Sequence, residues 1–153
     1  MLQAGSKAPD FTLAGPDGVA HSLQSLLEKG PVLLALYKVS CPVCQMTMPY
    51  LDRIASGGLQ VVTISQDNAA DTERFRKQFG AKSPVLLDPS DRKYPVSNAF
   101  GITHVPSMFL VETDGTVSQA VTGFRKSDLI ALGERAGAAV FGPQDAVPEW
   151  KAG

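Results

Sequence analysis

An almost unbroken run of apolar side chains extends from Val32 to Val39, and this run does most to limit the folds open to the chain. A strand with one solvent-facing side alternates apolar and polar residues, whereas a strand buried on both faces is apolar throughout. The run therefore predicts a buried central strand. The rest of the chain alternates between strand-like runs and stretches of helical period, which indicates an α/β domain.

This alternation yields a full set of predicted elements. Strands are predicted at Asp10–Leu13, Val32–Val39, Leu59–Ser65, Val85–Leu87, Met108–Val111 and Thr116–Val121. Helices are predicted from Ser22 to Gly30, from Cys41 to about Ser56, from Asp67 or Asn68 to Phe79, from Val96 to Phe100 and from Ser127 to about Val140. Crossover connections require parallel neighbouring strands. The turn at Asp114 and Gly115 predicts a hairpin that adds an antiparallel edge.

The length of 153 residues, with 44% of them apolar, fits one domain with one core. We assign the domain to residues 1–141 and expect residues 142–153 to form an irregular C-terminal tail, packed on the surface or ordered by a partner. The net charge of −1 gives no electrostatic basis for binding nucleic acid or an anionic membrane.

No membrane span is expected, because the longest apolar run, Pro31–Tyr37, is far shorter than the roughly 20 residues that a bilayer requires. Residues 1–7 lack the apolar region of a signal peptide. A cytoplasmic location is the simplest interpretation. A periplasmic protein trimmed of its export signal would look the same.

The chain has two cysteines, Cys41 and Cys44, in the motif Cys-Pro-Val-Cys. Two cysteines are too few for a disulfide framework or for a four-thiolate zinc or iron–sulfur site. A disulfide between them would close so short a loop that it would remove little entropy from the unfolded chain. The pair is therefore predicted to be reversible rather than structural, and no cofactor is expected.

The motif lies where the predicted buried strand ends and a helix begins. A thiol at a helix N-terminus faces unpaired backbone N–H groups and the positive end of the helix dipole, and both stabilise a thiolate. In such motifs the pKa of the first cysteine falls to about 3.5–7.5. Pro42 suits the first helical turn. Cys41 is predicted to be the attacking thiol, and Cys44, one turn deeper, to resolve the mixed disulfide. The alternative is a pair of buried, inert cysteines.

A second signal is Pro106, which precedes the predicted strand at Met108 and follows the motif by about 60 residues. A proline that begins a strand often marks a cis bond or a sheet edge. A cis bond would leave the backbone of Val105 exposed beside the cysteines, where an extended substrate could pair with it.

Several segments, in order, resemble the thioredoxin superfamily, and more closely the TlpA/ResA-like branch of the AhpC/TSA redoxins. They are GSKAPDFTL (5–13), PVLLALY (31–37), CPVC (41–44), LQVVTIS (59–65), PVLLDP (84–89) and FGITHVPSMFLV (100–111). The resemblance extends over about residues 4–140. It implies a thioredoxin-like fold, with a central mixed β-sheet flanked by helices and an N-terminal β-hairpin, and it implies that Pro106 is a cis-proline.

The function that the resemblance implies is that of a thiol–disulfide oxidoreductase. Its partners would be a protein substrate that carries a disulfide or a dithiol, and a separate electron donor or acceptor. The protein would be a monomer or a weak dimer. We expect the substrate to contact Val105 and Pro106, together with Val39, Ser40 and Pro42 beside the motif.

Three positions depart from the pattern that the resemblance implies. Val39-Ser40 stands where the family usually has a Trp before the first cysteine. Ala35 stands where thioredoxin has a buried Asp, and Thr47 stands where several relatives have a Glu. The carboxylate that would accept the proton of Cys44 is therefore missing from both usual places.

Other groups could take over the handling of this proton. Water, Lys38 and a carboxylate such as Glu112 are the candidates. The charge of Lys38 would also favour a thiolate at Cys41, three residues further on, unless this lysine is simply exposed to solvent. Thr47 and His104 are two further candidates for modulating the site.

The main alternative function is that of a peroxiredoxin, because the AhpC/TSA redoxins include thiol peroxidases. The resemblance would make Cys44 the peroxidatic cysteine. A peroxiredoxin has a Thr or Ser upstream of that cysteine, and Cys41 occupies this position here. It also has a proline that positions the peroxide, and Lys38-Val39 stands in its place.

A third alternative is a copper-binding redoxin rather than an enzyme. Two thiols and one imidazole are soft to borderline ligands that suit copper. The expected fold would bring His104 near Cys41 and Cys44. A lone histidine at the surface is the plainer interpretation.

Overall fold

The computed structural model describes residues 1–153. Its strands are β1 (Thr12–Ala14), β2 (Ala20–Ser22), β3 (Val32–Tyr37), β4 (Gln60–Ser65), β5 (Val85–Leu87), β6 (Ser107–Val111), β7 (Val117–Thr122), β8 (Phe124–Arg125) and β9 (Trp150–Lys151). Its helices are α1 (Leu23–Leu27), α2 (Pro42–Ser56), α3 (Ala69–Phe79), α4 (Pro95–Ala99) and α5 (Lys126–Ala136), with a 3₁₀ turn at Ser90–Arg92. None of the helices combines the length and the apolar content needed to cross a membrane.

The apolar run forms β3, the middle strand of a five-stranded sheet with the order β5-β4-β3-β6-β7. β3 pairs in parallel with β4, with Val32 opposite Gln60 and Tyr37 opposite Ser65. It pairs antiparallel with β6, and β6 pairs antiparallel with β7. Every residue of β3 is buried. The predicted mixed sheet, its central strand and its antiparallel edge are therefore confirmed.

The side chains of β3 alternate between two core layers, one on each face of the sheet. Leu33 and Tyr37 belong to the layer beneath α2, α3 and α5. Leu34 and Leu36 belong to the layer beneath α1 and α4. Helices thus cover both faces, and the carboxyl end of β3, where the cysteine motif begins, is held from both sides.

The predicted N-terminal hairpin forms between β1 and β2, with Thr12 opposite Ser22. Its first strand lies slightly later in the chain than expected. Ser22 then caps α1, as predicted: its hydroxyl accepts the Ser25 N–H at 3.0 Å, and the Ser25 hydroxyl accepts the Ser22 N–H at 3.2 Å. This reciprocal pair is a capping box, and it satisfies two N–H groups at the start of the helix.

The last part of the chain differs from the prediction in two ways. Helix α5 stops at Ala136 instead of continuing to Val140, because Gly137 adopts a left-handed backbone with φ of 75°. The tail, expected to be irregular, contains β9, which pairs antiparallel with β8. A strand of two residues is too short to show a hydrophobic pattern, so the sequence did not reveal it.

Candidate active site

The site is built around Cys41, the N-cap residue of α2. β3 ends at Tyr37, a tight turn follows, and the Cys41 N–H donates to the Lys38 carbonyl at 3.2 Å. Pro42 occupies the first turn of α2, where its missing N–H leaves no helical bond unmade. The Cys41 sulfur accepts the Cys44 N–H at 3.1 Å. An N–H group at the positive end of a helix dipole stabilises a negative charge on this sulfur.

Cys44 lies one helical turn further on and is fully buried, at 0% exposure against 9% for Cys41. Burial raises the pKa of the Cys44 thiol well above its ordinary value, and a hydrogen bond from this thiol to Cys41 raises that pKa further. The backbone of Lys38 opposes the rise more weakly. Both cysteines are free. This arrangement keeps Cys44 protonated, while the Cys41 sulfur accepts hydrogen bonds.

The loop before β6 reaches the motif from the other side. The Val105–Pro106 peptide bond is cis, as the resemblance implies. The Val105 carbonyl oxygen lies 3.6 Å from the Cys41 sulfur. The Ser107 hydroxyl donates to the His104 carbonyl at 2.7 Å, and the Gly123 N–H donates to the Pro106 carbonyl at 2.8 Å. These bonds fix the backbone of the loop beside the thiol.

The turn at residues 38–40 is held by two side chains that the sequence analysis did not connect with the site. Asp67 accepts the Val39 N–H at 2.8 Å, and the Gln45 side chain donates to the Val39 carbonyl at 2.9 Å. Asn68, not Asp67, caps α3. Asp67 follows β4, and the carboxyl ends of β4 and β3 lie at the same edge of the sheet. This placement could have indicated that Asp67 lies near the turn before Cys41.

The residues expected to contact a substrate surround Cys41. Ser40 and Pro42 are exposed, and Val39 is half-buried. Val105 is half-buried and Pro106 is buried; we refer to these five residues as the rim of the site. Val39 and Ser40 stand where the resemblance implies a Trp, so no indole precedes the thiol in the turn.

Lys38 and Thr47, two candidate modulators of the site, make their contacts away from Cys44. Lys38 is exposed, and its ammonium lies 6.0 Å from the centre of the Tyr94 ring. The Thr47 hydroxyl donates to the Val43 carbonyl at 2.7 Å within α2. Neither side chain makes a hydrogen bond to Cys44. The Cys44 thiol is hydrogen-bonded to Cys41 instead.

Glu112 is at the wrong end of the sheet to accept a proton from Cys44. It follows Val111, which pairs with Val32 at the start of β3, whereas the motif follows the end of β3. Its carboxylate binds the Arg135 guanidinium at 2.6 and 2.9 Å, and this pairing lowers the pKa of Glu112. The suggestion that Glu112 serves the site is therefore wrong.

His104 does not join the two cysteines. Its ring shares a hydrogen bond of 2.9 Å with the Thr103 hydroxyl, and the residue is exposed. Cys41, Cys44 and His104 do not form a group of side chains that could hold a metal ion together. The geometry expected for copper is therefore wrong.

Comparison with known proteins agrees with this architecture. The chain matches the AhpC/TSA family over residues 4–120. It is 31% identical over 127 residues to the thiol-disulfide oxidoreductase ResA of Geobacillus thermodenitrificans, a match that covers 80% of this chain and 71% of the relative. The protein of the same name from Bacillus subtilis is 30% identical over 134 residues, covering 84% of this chain and 73% of the relative.

A solved structure from Chlorobium tepidum shows the same fold. That protein is provisionally assigned as a thiol:disulfide interchange protein DsbE. It superposes with a TM-score of 0.76 at 29% sequence identity, over 92% of this chain and 100% of its own.

Proposed function

The chain belongs to the AhpC/TSA family and is a thiol–disulfide oxidoreductase of the ResA-like kind, and we propose that Cys41 is its nucleophile and Cys44 its resolving cysteine. One observation carries the assignment of roles. The Cys41 sulfur accepts the Cys44 N–H at the start of α2, and Cys41 keeps 9% exposure, whereas Cys44 is completely buried and its burial raises the pKa of its thiol. A nucleophile needs both access and thiolate character.

The first step forms a mixed disulfide. The Cys41 thiolate attacks one sulfur of a substrate disulfide, a new S–S bond forms, and the other substrate sulfur leaves as a thiolate. The substrate lies along the backbone of Val105. The carbonyl oxygen of Val105 is 3.6 Å from the attacking Cys41 sulfur. Val39, Ser40, Pro42 and Pro106 form the surface around it.

The second step releases the substrate and needs a destination for the Cys44 proton. Burial is the largest cause of the raised pKa of Cys44, followed by Cys41; nearby backbone opposes the rise, and no carboxylate is among these causes. The substrate thiolate formed in the first step accepts this proton. The Cys44 sulfur then attacks Cys41, and the second substrate sulfur leaves as a thiolate that takes a proton from water. Two electrons pass to the substrate, and the enzyme is left with a Cys41–Cys44 disulfide.

A separate dithiol must reduce that disulfide before another turnover. The same chemistry run in reverse oxidises substrate thiols, with a separate acceptor for the electrons. We propose a polypeptide as the substrate and a monomer or weak dimer as the working form. The reduction potential decides the direction: a value near −270 mV is typical of a reductant, and one near −120 mV of an oxidant.

Replacing each cysteine by serine tests the assignment of roles. Cys41→Ser should abolish the reduction of insulin disulfides, because no nucleophile remains. Cys44→Ser should accumulate a mixed disulfide through Cys41, which mass spectrometry detects as an adduct lost on treatment with dithiothreitol. Full activity of the Cys41→Ser protein, or an adduct carried by Cys44, would contradict the proposal.

The peroxidase alternative requires peroxide to reach Cys44 as a thiolate. Its complete burial and its raised pKa both oppose this reaction. We therefore expect hydrogen peroxide to oxidise the reduced protein no faster than it oxidises a free thiol. Stopped-flow measurement of the second-order rate checks this, and a much faster rate that survives Cys41→Ser would restore the alternative.

A further inference from the structure

The segment that follows α5 returns across the molecule to the candidate active site. Arg53 of α2 fixes its beginning: the guanidinium donates to the Val140 carbonyl at 2.7 Å and binds Asp145 at 2.8 and 3.3 Å. Val147 packs against the core layer beneath α2. The chain is thereby directed toward β8 and the loop that contains Pro106.

The end of the segment lies along β8 as a short strand. Phe124 pairs with Lys151, and Arg125 pairs with Trp150. The Lys126 N–H donates to the Glu149 carbonyl at 2.9 Å. The Arg125 guanidinium lies 6.0 Å from the centre of the Trp150 ring, within reach of a cation–π contact.

Two glycines allow the backbones to approach unusually closely. A Cβ atom added to Gly123 would lie 2.5 Å from the Lys151 carbonyl oxygen. A Cβ atom added to Gly153 would lie 1.6 Å from the Val105 carbonyl oxygen and 3.1 Å from the Pro106 nitrogen. Residue 153 therefore sits against the same carbonyl that lies 3.6 Å from the Cys41 sulfur.

We propose that residues 149–153 form an autoinhibitory strap, which occupies the backbone site of the polypeptide substrate and must leave before that substrate binds. The inference rests on the proposed function, because it takes Val105 to be the place where the substrate lies. Gly153 occupies the space beside the Val105 carbonyl that the substrate backbone would need. A polypeptide that binds there displaces the end of the strap.

The strap is tied loosely enough to be displaced. Its strand has two residues, both exposed, and Trp150 is 55% exposed. The ion pair between Lys126 and Glu149 is long, at 3.8 Å. A segment with few buried contacts opens at a free energy far below that of global unfolding. A strap closed nine-tenths of the time would raise the apparent dissociation constant of a substrate about tenfold.

Gly153→Ala tests the strap by placing a methyl group where the Val105 carbonyl lies. We expect the KM for a disulfide-containing polypeptide to fall about three- to tenfold, with kcat nearly unchanged. Gly142→Ala is the matched control, because a Cβ atom there would lie 3.6 Å from Asp145, an ordinary contact. The small disulfide of oxidised 2-mercaptoethanol, which needs no backbone pairing, serves as the second substrate.

The outcomes separate the strap from the function on which it rests. If the parent protein reduces neither substrate, the proposed function fails and the strap fails with it. If the parent protein reduces both and Gly153→Ala leaves the KM for the polypeptide unchanged, only the strap is overturned.

Trp150, the only tryptophan of the chain, gives an independent readout. In the Cys44→Ser protein, a polypeptide trapped on Cys41 should displace the strap and move Trp150 away from Arg125. We expect the emission maximum of Trp150 to shift to longer wavelength when the adduct forms, and to return when dithiothreitol removes it. A polypeptide without tryptophan avoids interference. Adduct formation with no change in Trp150 emission would overturn the strap.

Discussion

The two cysteines of one short motif differ in exposure and in hydrogen bonding because one caps a helix and the other lies inside it. Cys41 is the cap of α2, so its sulfur faces the N–H groups of the first turn and the Val105 carbonyl. Cys44 is inside the helix, one turn further on, and is completely buried, whereas Cys41 keeps 9% exposure in the same core layer beneath α2. Burial disfavours a charge and raises the pKa of the Cys44 thiol, so the proton stays on Cys44.

The proton held by Cys44 predicts how the stability of the reduced protein depends on pH. Its pKa is about 8.5 when unfolded and is raised in the folded state. Above pH 9 the unfolded chain has lost this proton and the folded chain has kept it, so the free energy of unfolding falls as pH rises. The slope from this residue is about 1.4 kcal/mol per pH unit.

Urea titrations between pH 8 and 10, in the presence of a reductant, measure this slope. The window ends at pH 10 because Tyr37 begins to contribute there: burial raises the pKa of Tyr37 to about 12 from its ordinary value of 10. Cys44→Ala is the control and should be less stable but have a flatter dependence on pH. Equal slopes in the two proteins would show that Cys44 ionises as easily in the folded state as in the unfolded one.

At the residue scale, the sequence is sufficient to predict the position of a residue where that position depends on its neighbours in the chain. The place of Cys41 at a helix start followed from the apolar run before it and from Pro42 after it. The role of Asp67 could not be predicted in the same way, because its partner Val39 lies 28 residues away. In sequence, Asp67 and Asn68 are equally good helix caps, and only the packing of β4 beside β3 separates them.

At the scale of elements, the short helix α4 depends on one buried carboxylate. Asp88 is fully buried, accepts the Val96 and Ser97 N–H groups at 2.9 and 2.8 Å, and accepts the Ser97 hydroxyl at 2.6 Å. Tyr94, the cap residue by position, makes no side-chain bond there. Asp88 therefore satisfies the first N–H groups of the helix from outside it, at the point where a negative charge also meets the helix dipole.

Removing the Asp88 carboxylate should be costly because it leaves these buried donors without partners. We expect Asp88→Ala to lower the free energy of unfolding by about 3 kcal/mol or more. Asp91→Ala is the matched control: Asp91 is exposed, and its replacement should change stability by about 0.5 kcal/mol or less. Urea denaturation measures both. A small effect of Asp88→Ala would show that water takes over the role of the carboxylate.

The elements that the sequence located best are those with a long pattern or a specific capping residue. β3, α2, α3 and the Ser22 cap belong to this group. The end of α5 was misplaced, because apolar residues continue past Gly137 to Val140 and imitate a longer helix. Val140 is indeed buried in the core layer beneath α2, but it is reached by non-helical chain after the left-handed glycine. An apolar pattern shows which residues are buried, but it predicts a helix only where the backbone conformation allows one.

At the scale of the whole molecule, the candidate site is assembled from chain segments that only the sheet brings together. β3 leads to Cys41, the neighbouring strand β6 follows Pro106, and residues 149–153 return beside both. The first two parts were predictable, because motif and resemblance pointed to them. The third was not, since a two-residue strand has no pattern and its fit depends on Gly123 and Gly153. The cytoplasmic location stays a prediction.

The sheet and the strap should therefore open at very different free energies, which amide hydrogen exchange can separate. The Leu34 amide lies in the middle of β3, where all residues are buried, and should exchange by global unfolding, at about 5–15 kcal/mol. The Lys126 N–H is bonded to the Glu149 carbonyl across the strap, so it becomes free as soon as the strap leaves. We expect its opening free energy to be several kcal/mol lower, and insensitive to urea because little surface is exposed. Gly153→Ala should lower it further and leave Leu34 nearly unchanged. Equal opening free energies at the two amides would mean that residues 149–153 unfold only with the core. A substrate could not displace a strap of that kind.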